Sequence, residues 1–140
     1  MTIDFHYKTD FKLDGEKPFK DWIFRIFTLE KGLCGDINYI FCEDEYLLRI
    51  NREHLKHDTY TDIITFDYTS GDQISGDIFI SVERVRENAV SFAEHFKDEL
   101  LRVMSHGILH LLGFNDKTKD DIKIMRGKEK EMIKLFHVEH

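Results

Sequence analysis

The sequence contains little cysteine, little proline and no long apolar run. Its two cysteines, Cys34 and Cys42, are eight residues apart and form no Cys-x-x-Cys motif, which excludes a disulfide framework and a four-cysteine zinc site. The first residues, 1–12, are too charged for the apolar core of a signal peptide, and no stretch approaches the length of a membrane span. We therefore expect a cytoplasmic protein that folds as one domain over residues 1–140.

Positive charge is also scarce. The chain carries 20 Lys and Arg residues against 27 Asp and Glu residues, and its net charge of −7 argues against nucleic-acid binding through overall charge. Any such contact is expected to be local, and two basic segments could supply it, although each could equally be a solvated helix face. The first contains Arg49, Arg52, His54, Lys56 and His57, and the second contains Lys117, Lys119, Lys123, Arg126, Lys128 and Lys130.

The most informative stretch is SHGILHLLGFND at residues 105–116. His106 and His110 are one helical turn apart, so their side chains lie about 6 Å apart along the axis and about 40° apart around it. Gly113 favours the left-handed conformation that ends a helix, which lets Asp116 return over the same face. Two imidazoles and one carboxylate predict a divalent metal site. The alternative is an exposed polar face on which two histidines have no role.

The residues around this motif narrow its chemistry. Apolar residues cover most of the predicted helix and leave a polar stripe of Glu99, Arg102, His106 and His110, which predicts a buried helix whose stripe lines a cleft.

Gly107 stands where zinc peptidases of the H-E-x-x-H type have their glutamate base, which argues against peptide hydrolysis. Glycine inside a helix costs about 1 kcal/mol relative to alanine, so Gly107 indicates backbone or substrate close to the helix. The alternative is a glycine that the helix merely tolerates. An iron oxygenase uses the same ligand count, but such sites usually lie in β-barrels, which this sequence does not predict.

Strand and helix patterns alternate along the chain in the order βαβαββααα. The polar connection at residues 67–75 is too short for a crossover helix, so the last two strands are expected to be antiparallel neighbours. The pattern predicts an α+β domain with one four-stranded mixed sheet and about five helices. The strands are expected at residues 2–7, 36–42, 61–66 and 76–81, and the helices after Pro18, after an N-cap at Asp44, and at residues 82–93, 97–112 and 118–136.

Residues 106–116 resemble the signature of the YbeY family of bacterial endoribonucleases, H-G-x-L-H-L-x-G-[YF]-[DN]-H. Only the last constrained position differs, because Asp116 replaces the histidine. The resemblance continues upstream, where Asn51, Asp58 and TDIITF at residues 61–66 are similar to the block N…D-x-P-T-D-V-L-S-F. The segment GDIFI at residues 76–80 is similar to the strand L-G-D-I-x-I. The arginine that the family usually carries in the first block falls on Leu55, and Lys56 is the nearest cation.

The resemblance implies metal-dependent cleavage of single-stranded RNA in ribosomal RNA processing, with the ribosomal RNA precursor and the small ribosomal subunit as partners. It implies that His106, His110 and Asp116 hold a zinc ion, although the carboxylate also suits other divalent metals. Asp62 and Asp77 are candidate catalytic helpers, and each could equally be structural. Lys56 and His57 are candidates for binding phosphate. The alternative function is a ribosome-assembly factor that binds RNA or protein and whose metal is structural.

Overall fold

The computed structural model describes residues 1–138 and contains nine elements there, in the predicted order βαβαββααα. The α+β class and the four-stranded mixed sheet with five helices are confirmed. The strands are β1 (Thr2–Tyr7), β2 (Leu33–Cys42), β3 (Ile63–Asp67) and β4 (Gln73–Ser81). The helices are α1 (Lys17–Leu29), α2 (Asp44–His54), α3 (Val82–Ser91), α4 (Phe96–Leu111) and α5 (Lys119–His137).

The sheet has the strand order β1-β2-β4-β3. Strand β2 pairs in parallel with β1 and with β4, and β3 pairs with β4 in the antiparallel sense, as predicted from their short connection. Side chains alternate between the two faces along each strand. In β4, Ile78 and Ile80 are buried in the main core, whereas Phe79 packs on the opposite face.

Helices cover the two faces of the sheet unequally. The main core lies on the face covered by α1, α3, α4 and α5, whereas α2 covers a small cluster on the other face. The buried residues of α1 belong to the main core; they are Phe19, Trp22, Ile23, Ile26 and Phe27. Trp22 is fully buried, and its indole Nε1 donates a hydrogen bond to the Met132 carbonyl at 2.8 Å, which fixes α1 to α5. Within residues 1–138, every helix is too short or too polar to cross a membrane.

Several predicted boundaries were wrong. Strand β2 begins at Leu33 rather than at residue 36, and it contains Gly35 at an irregularity in its pairing with β4. A Cβ atom at Gly35 would lie 2.2 Å from Ser75 Oγ, so glycine is required by the close approach of β4. Asp44 is the first residue of α2 and not its N-cap. Its carboxylate instead accepts hydrogen bonds from Ser81 Oγ at 2.6 Å and Arg84 Nη2 at 2.9 Å.

The end of α4 confirms the predicted role of Gly113. Its φ of +106° is in the left-handed region, and its N–H donates to the His110 carbonyl at 3.0 Å. The Phe114 N–H donates to the Leu109 carbonyl at 3.0 Å, which completes a Schellman motif. Helix α5 then begins after Thr118, which forms a capping box with Asp121. This short connection returns α5 along α4, beside the two histidines.

Candidate active site

A cavity of about 760 Å³ opens between α4, the loop that follows α2 and the connection from α4 to α5. This volume lies within the range of about 300–1,000 Å³ that is usual for ligand sites. Of the seven site residues predicted from the sequence, five line the cavity, and the remaining two, Lys56 and Asp77, do not. The five are His57, Asp62, His106, His110 and Asp116.

Two of the three predicted metal ligands face each other. The His106 Nε2 atom lies 3.3 Å from Asp116 Oδ2, and the His106 Nδ1 atom lies 2.7 Å from Glu129 Oε2. A carboxylate only accepts hydrogen bonds, so Nδ1 carries the proton of the contact with Glu129. The Nε2 lone pair would then face a second carboxylate. A divalent cation between the two atoms would bind both of them.

His110 is exposed and borders the same cavity one turn further along α4. Within residues 1–138, no group of three or more His, Cys, Asp or Glu side chains converges closely enough to hold a metal ion. The structure therefore brings His106 and Asp116 together but leaves His110 outside their contact. Two imidazoles and a carboxylate around one cavity still fit a divalent metal by the chemistry of the donor set.

A buried ion-pair network supports this side of the cavity. Glu99 and Glu129 have exposed fractions of only 2% and 1%. Arg102 donates two hydrogen bonds to Glu99, from Nε to Oε1 at 2.9 Å and from Nη2 to Oε2 at 2.7 Å, and Nη1 reaches Glu129 Oε1 at 3.4 Å. Arg126 Nη1 donates to Glu129 Oε1 at 2.7 Å. Arg102 thus pairs with a buried carboxylate of its own helix, Glu99, and with one of α5, Glu129.

The pKa values of this network follow from burial and pairing. Burial by itself would lower the pKa of Arg102, but its hydrogen bonds to Glu99 and the charges of Glu99, Glu129 and Asp62 raise it above its usual value. Burial alone would raise the pKa of Glu129, and the hydrogen bonds from His106 and Arg126, with the charge of Arg102, lower it instead. Arg102 and Glu129 therefore both stay charged.

The two predicted catalytic helpers lie on different sides of the sheet. Asp62 Oδ2 is 3.5 Å from Arg102 Nη2, and Asp62 lines the cavity beside α4. Asp77 shares the opposite face with Phe79, where its Oδ1 accepts a hydrogen bond from Asn38 Nδ2 at 3.2 Å. The structure thus brings Asp62 to the histidines and does not bring Asp77 there.

The loop after α2 supplies only part of the predicted cationic edge. His57 lines the cavity, as does Leu55, the residue onto which the sequence resemblance puts the usual family arginine. Lys56 adopts a left-handed backbone conformation, with φ of +55°, and its side chain does not line the cavity. The cavity gains further positive charge from Lys117 and Arg126 of the second basic segment.

Comparison with known proteins agrees with the motif. A family model described as Endoribonuclease YbeY matches residues 6–137. The chain belongs to the YbeY endoribonuclease family. Proteins named Endoribonuclease YbeY from Flavobacterium johnsoniae and Christiangramia forsetii are 56% and 54% identical over 98% of this chain, which is 99% and 96% of their own lengths. That of Parabacteroides distasonis is 45% identical over 94% of both chains.

A related fold is known from the solution structure of a Thermotoga maritima protein. It is 27% identical to this chain and aligns with a TM-score of 0.64, covering 96% of this chain and 89% of the other. Membership in the YbeY family confirms the resemblance drawn from residues 106–116 and the predicted endoribonuclease class.

The sequence interpretation missed Glu129 as a site residue. Glu129 lies within the second basic segment, which could equally have been a solvated helix face. A signal for burial was nevertheless present, because Met125, Glu129 and Met132 share one face of a helix at the spacing i, i+4, i+7. All three are buried. A single carboxylate within an apolar stripe indicates a buried partner.

The interpretation of Gly107 also needs correction. A Cβ atom there would lie 2.9 Å from Ile78 Cγ2 and 3.2 Å from Ile63 Cδ1. The space next to Gly107 is therefore occupied by side chains of β4 and β3, and neither backbone nor substrate passes over it. Gly107 lets α4 lie close to the sheet.

Proposed function

We propose that this chain is a metal-dependent endoribonuclease that cleaves single-stranded RNA during ribosomal RNA maturation. The observation that carries the proposal is the 3.3 Å contact of His106 Nε2 with Asp116 Oδ2, within a cavity that His110 also lines, in a YbeY-family chain. His106, His110 and Asp116 would hold a zinc ion. Nitrogen and oxygen donors suit zinc, and the carboxylate also admits harder divalent metals.

The chemistry proposed for the site is phosphodiester hydrolysis. A zinc ion with an open coordination position lowers the pKa of bound water toward neutrality and polarises a phosphoryl oxygen. Asp62, held 3.5 Å from Arg102 at the edge of the cavity, is placed to accept or return a proton. The other helper candidate, Asp77, faces away from the cavity, so its role is better assigned to holding Asn38.

The proposed substrate contacts are local, as the net charge of −7 requires. His57, Lys117 and Arg126 line the cavity from three segments of the chain and can contact phosphate oxygens. Lys56, the other candidate from the sequence, adjoins His57 but does not line the cavity. The proposed partners are a ribosomal RNA precursor and the small ribosomal subunit, which would place the activity in the cytoplasm.

The experiment that tests the proposal combines metal content with RNA cleavage. Protein purified without a metal-affinity column is analysed for bound metals and assayed on one RNA in single-stranded and duplex form. We expect bound zinc, cleavage of the single strand, and a loss of about 10³-fold or more in His106→Ala, His110→Ala and Asp116→Ala. Lys123→Ala, an exposed change outside the cavity, is the matched control.

A test in cells separates the enzyme from the alternative function. The His110→Ala and Asp116→Ala variants are expressed in cells that lack the protein, and ribosomal RNA precursors are measured. We expect unprocessed precursors to persist. If folded variants restore processing, the catalytic role is wrong, and an assembly factor with a structural metal is favoured.

A further inference from the structure

We propose that Glu129 is a positioning residue that fixes the ring of His106, so that Nδ1 keeps its proton and Nε2 points into the cavity. The inference rests on the proposed function, in which His106 Nε2 is a metal ligand. Glu129 lies on α5, its exposed fraction is 1%, and its Oε2 accepts the hydrogen bond from Nδ1 at 2.7 Å. Histidines that bind metals commonly donate their second ring N–H in this way.

The Glu129 carboxylate is itself held in place. Its second oxygen, Oε1, is bound by Arg126 Nη1 at 2.7 Å and by Arg102 Nη1 at 3.4 Å. These contacts leave Oε2 directed at the His106 ring, and they supply the positive charge without which a buried carboxylate is costly. Glu129 therefore joins α4 and α5 at the level of His106.

The position of Glu129 in its helix argues against a chance surface contact. It lies on the same buried face of α5 as Met125 and Met132. An apolar side chain at this position would pack there without needing a partner. The alternative is a purely structural role, in which the ion pair with Arg102 only joins the two helices. Glu99 provides the comparison, since it is equally buried and binds Arg102 more closely, at 2.7 Å, from within α4.

The test compares Glu129→Met with Glu99→Met. Both changes remove a buried carboxylate that binds Arg102, but only the first removes the acceptor of His106 Nδ1. The first readout is the tautomer of His106 in metal-free protein, from long-range proton–nitrogen NMR correlations. We expect the Nδ1–H tautomer in the wild type and in Glu99→Met, and a mixture of tautomers in Glu129→Met.

The second readout is zinc affinity, measured by competition with a chelating dye. Loss of a group that orients a metal-binding histidine typically weakens binding by about 10–100-fold. We expect a loss of this size in Glu129→Met, a change within about twofold in Glu99→Met, and partial recovery in Glu129→Gln, which keeps a neutral acceptor.

Equal losses of zinc affinity in the two methionine variants, or an unchanged tautomer in Glu129→Met, would overturn the positioning role. If Glu129→Met does not fold, Glu129→Gln supplies the same two readouts, with a smaller expected change. Absence of zinc binding by the wild type would instead contradict the proposed metal site. The tautomer comparison would still decide the role of Glu129.

Discussion

The two walls of the cavity are built in opposite ways. One, the helical wall, is backed by the carboxylates of Glu99 and Glu129, which are buried and paired with arginine. The other, the loop wall, has no regular secondary structure and is exposed from residue 55 to residue 60. We define the helical wall as Arg102, His106 and His110, and the loop wall as residues 55–60.

This difference assigns different tasks to the walls. Groups held by buried hydrogen bonds need little reorganisation during a reaction, which suits the helical wall to the chemical step. The buried Asn51 holds the loop wall, because its Nδ2 donates to the Thr59 carbonyl at 2.8 Å. Two further ties, Arg52 with Asp58 and Tyr60 with Glu45, are solvent-exposed. A segment whose ties are largely exposed can adapt to a flexible RNA strand. Substitutions in the helical wall should therefore change turnover and stability, and those in the loop wall should change substrate affinity.

The largest expected effect on stability is at Arg102. Arg102→Met removes the cation that binds both oxygens of the buried Glu99, and leaving such a charge unpaired costs about 3–5 kcal/mol. Arg52→Met, next to the loop wall, breaks an ion pair with Asp58 that is solvent-exposed on both sides, so it should change stability little. Urea unfolding of both variants measures the difference. Similar losses in the two would contradict the contrast between the walls.

A smaller effect is expected at Gly107, which sets how closely the helical wall lies to the sheet. In Gly107→Ala the new Cβ would meet Ile78 Cγ2 at 2.9 Å. Overpacking of a core costs about 1–3 kcal/mol, and the better helix propensity of alanine returns up to about 1 kcal/mol. We expect a net loss of up to about 2 kcal/mol in thermal or urea unfolding.

Gly127→Ala is the matched control for this change. Gly127 lies within α5, and a Cβ atom there meets nothing within 4 Å. The substitution should therefore stabilise the protein by up to about 1 kcal/mol. A stabilising effect at both glycines would show that α4 can shift away from the sheet without loss.

A third prediction concerns the tie that holds the loop wall. Asn51→Ala removes the hydrogen bond to Thr59, and because Thr59 is exposed its carbonyl can turn to water, so we expect a cost of about 1 kcal/mol. The KM for single-stranded RNA should rise several-fold, while kcat changes less. Glu53→Ala, an exposed change on α2 outside the cavity, is the control. A fall in kcat as large as the rise in KM would mean that Asn51 contributes to the chemical step and not only to RNA binding.

The fold was largely predictable from the sequence because its signals are local. Ile37, Tyr39 and Phe41 alternate with other residues along β2, a pattern typical of one strand face, and the structure buries all three in the main core. The first residues of β2 and β4 were missed because Leu33 and Gln73 become strand only through pairing with each other. That pairing joins distant parts of the chain.

The candidate site was predictable only in part. His106 and Asp116 are in contact, as predicted, because α4 and the left-handed Gly113 at its end determine locally where Asp116 lies. The alternation of side chains along β4 could have excluded Asp77 from the candidate site. Its neighbour Ile78 faces the main core on the side of α4, so Asp77 faces the other side of the sheet. Glu129 could not be paired with His106 from the sequence, because their contact depends on how α5 lies against α4.

The smallest expected effect is at Lys117, which lines the cavity where α4 turns toward α5. If its ammonium group contacts one phosphate, Lys117→Ala should reduce the slope of log Kd against log salt by about 0.7 for a single strand. Fluorescence anisotropy of a labelled RNA in a chelator, which prevents cleavage, measures this slope. Lys123→Ala, exposed on α5 outside the cavity, should leave the slope unchanged. A similar change in both variants would mean that RNA follows the outer face of α5, and that the cavity does not select its path.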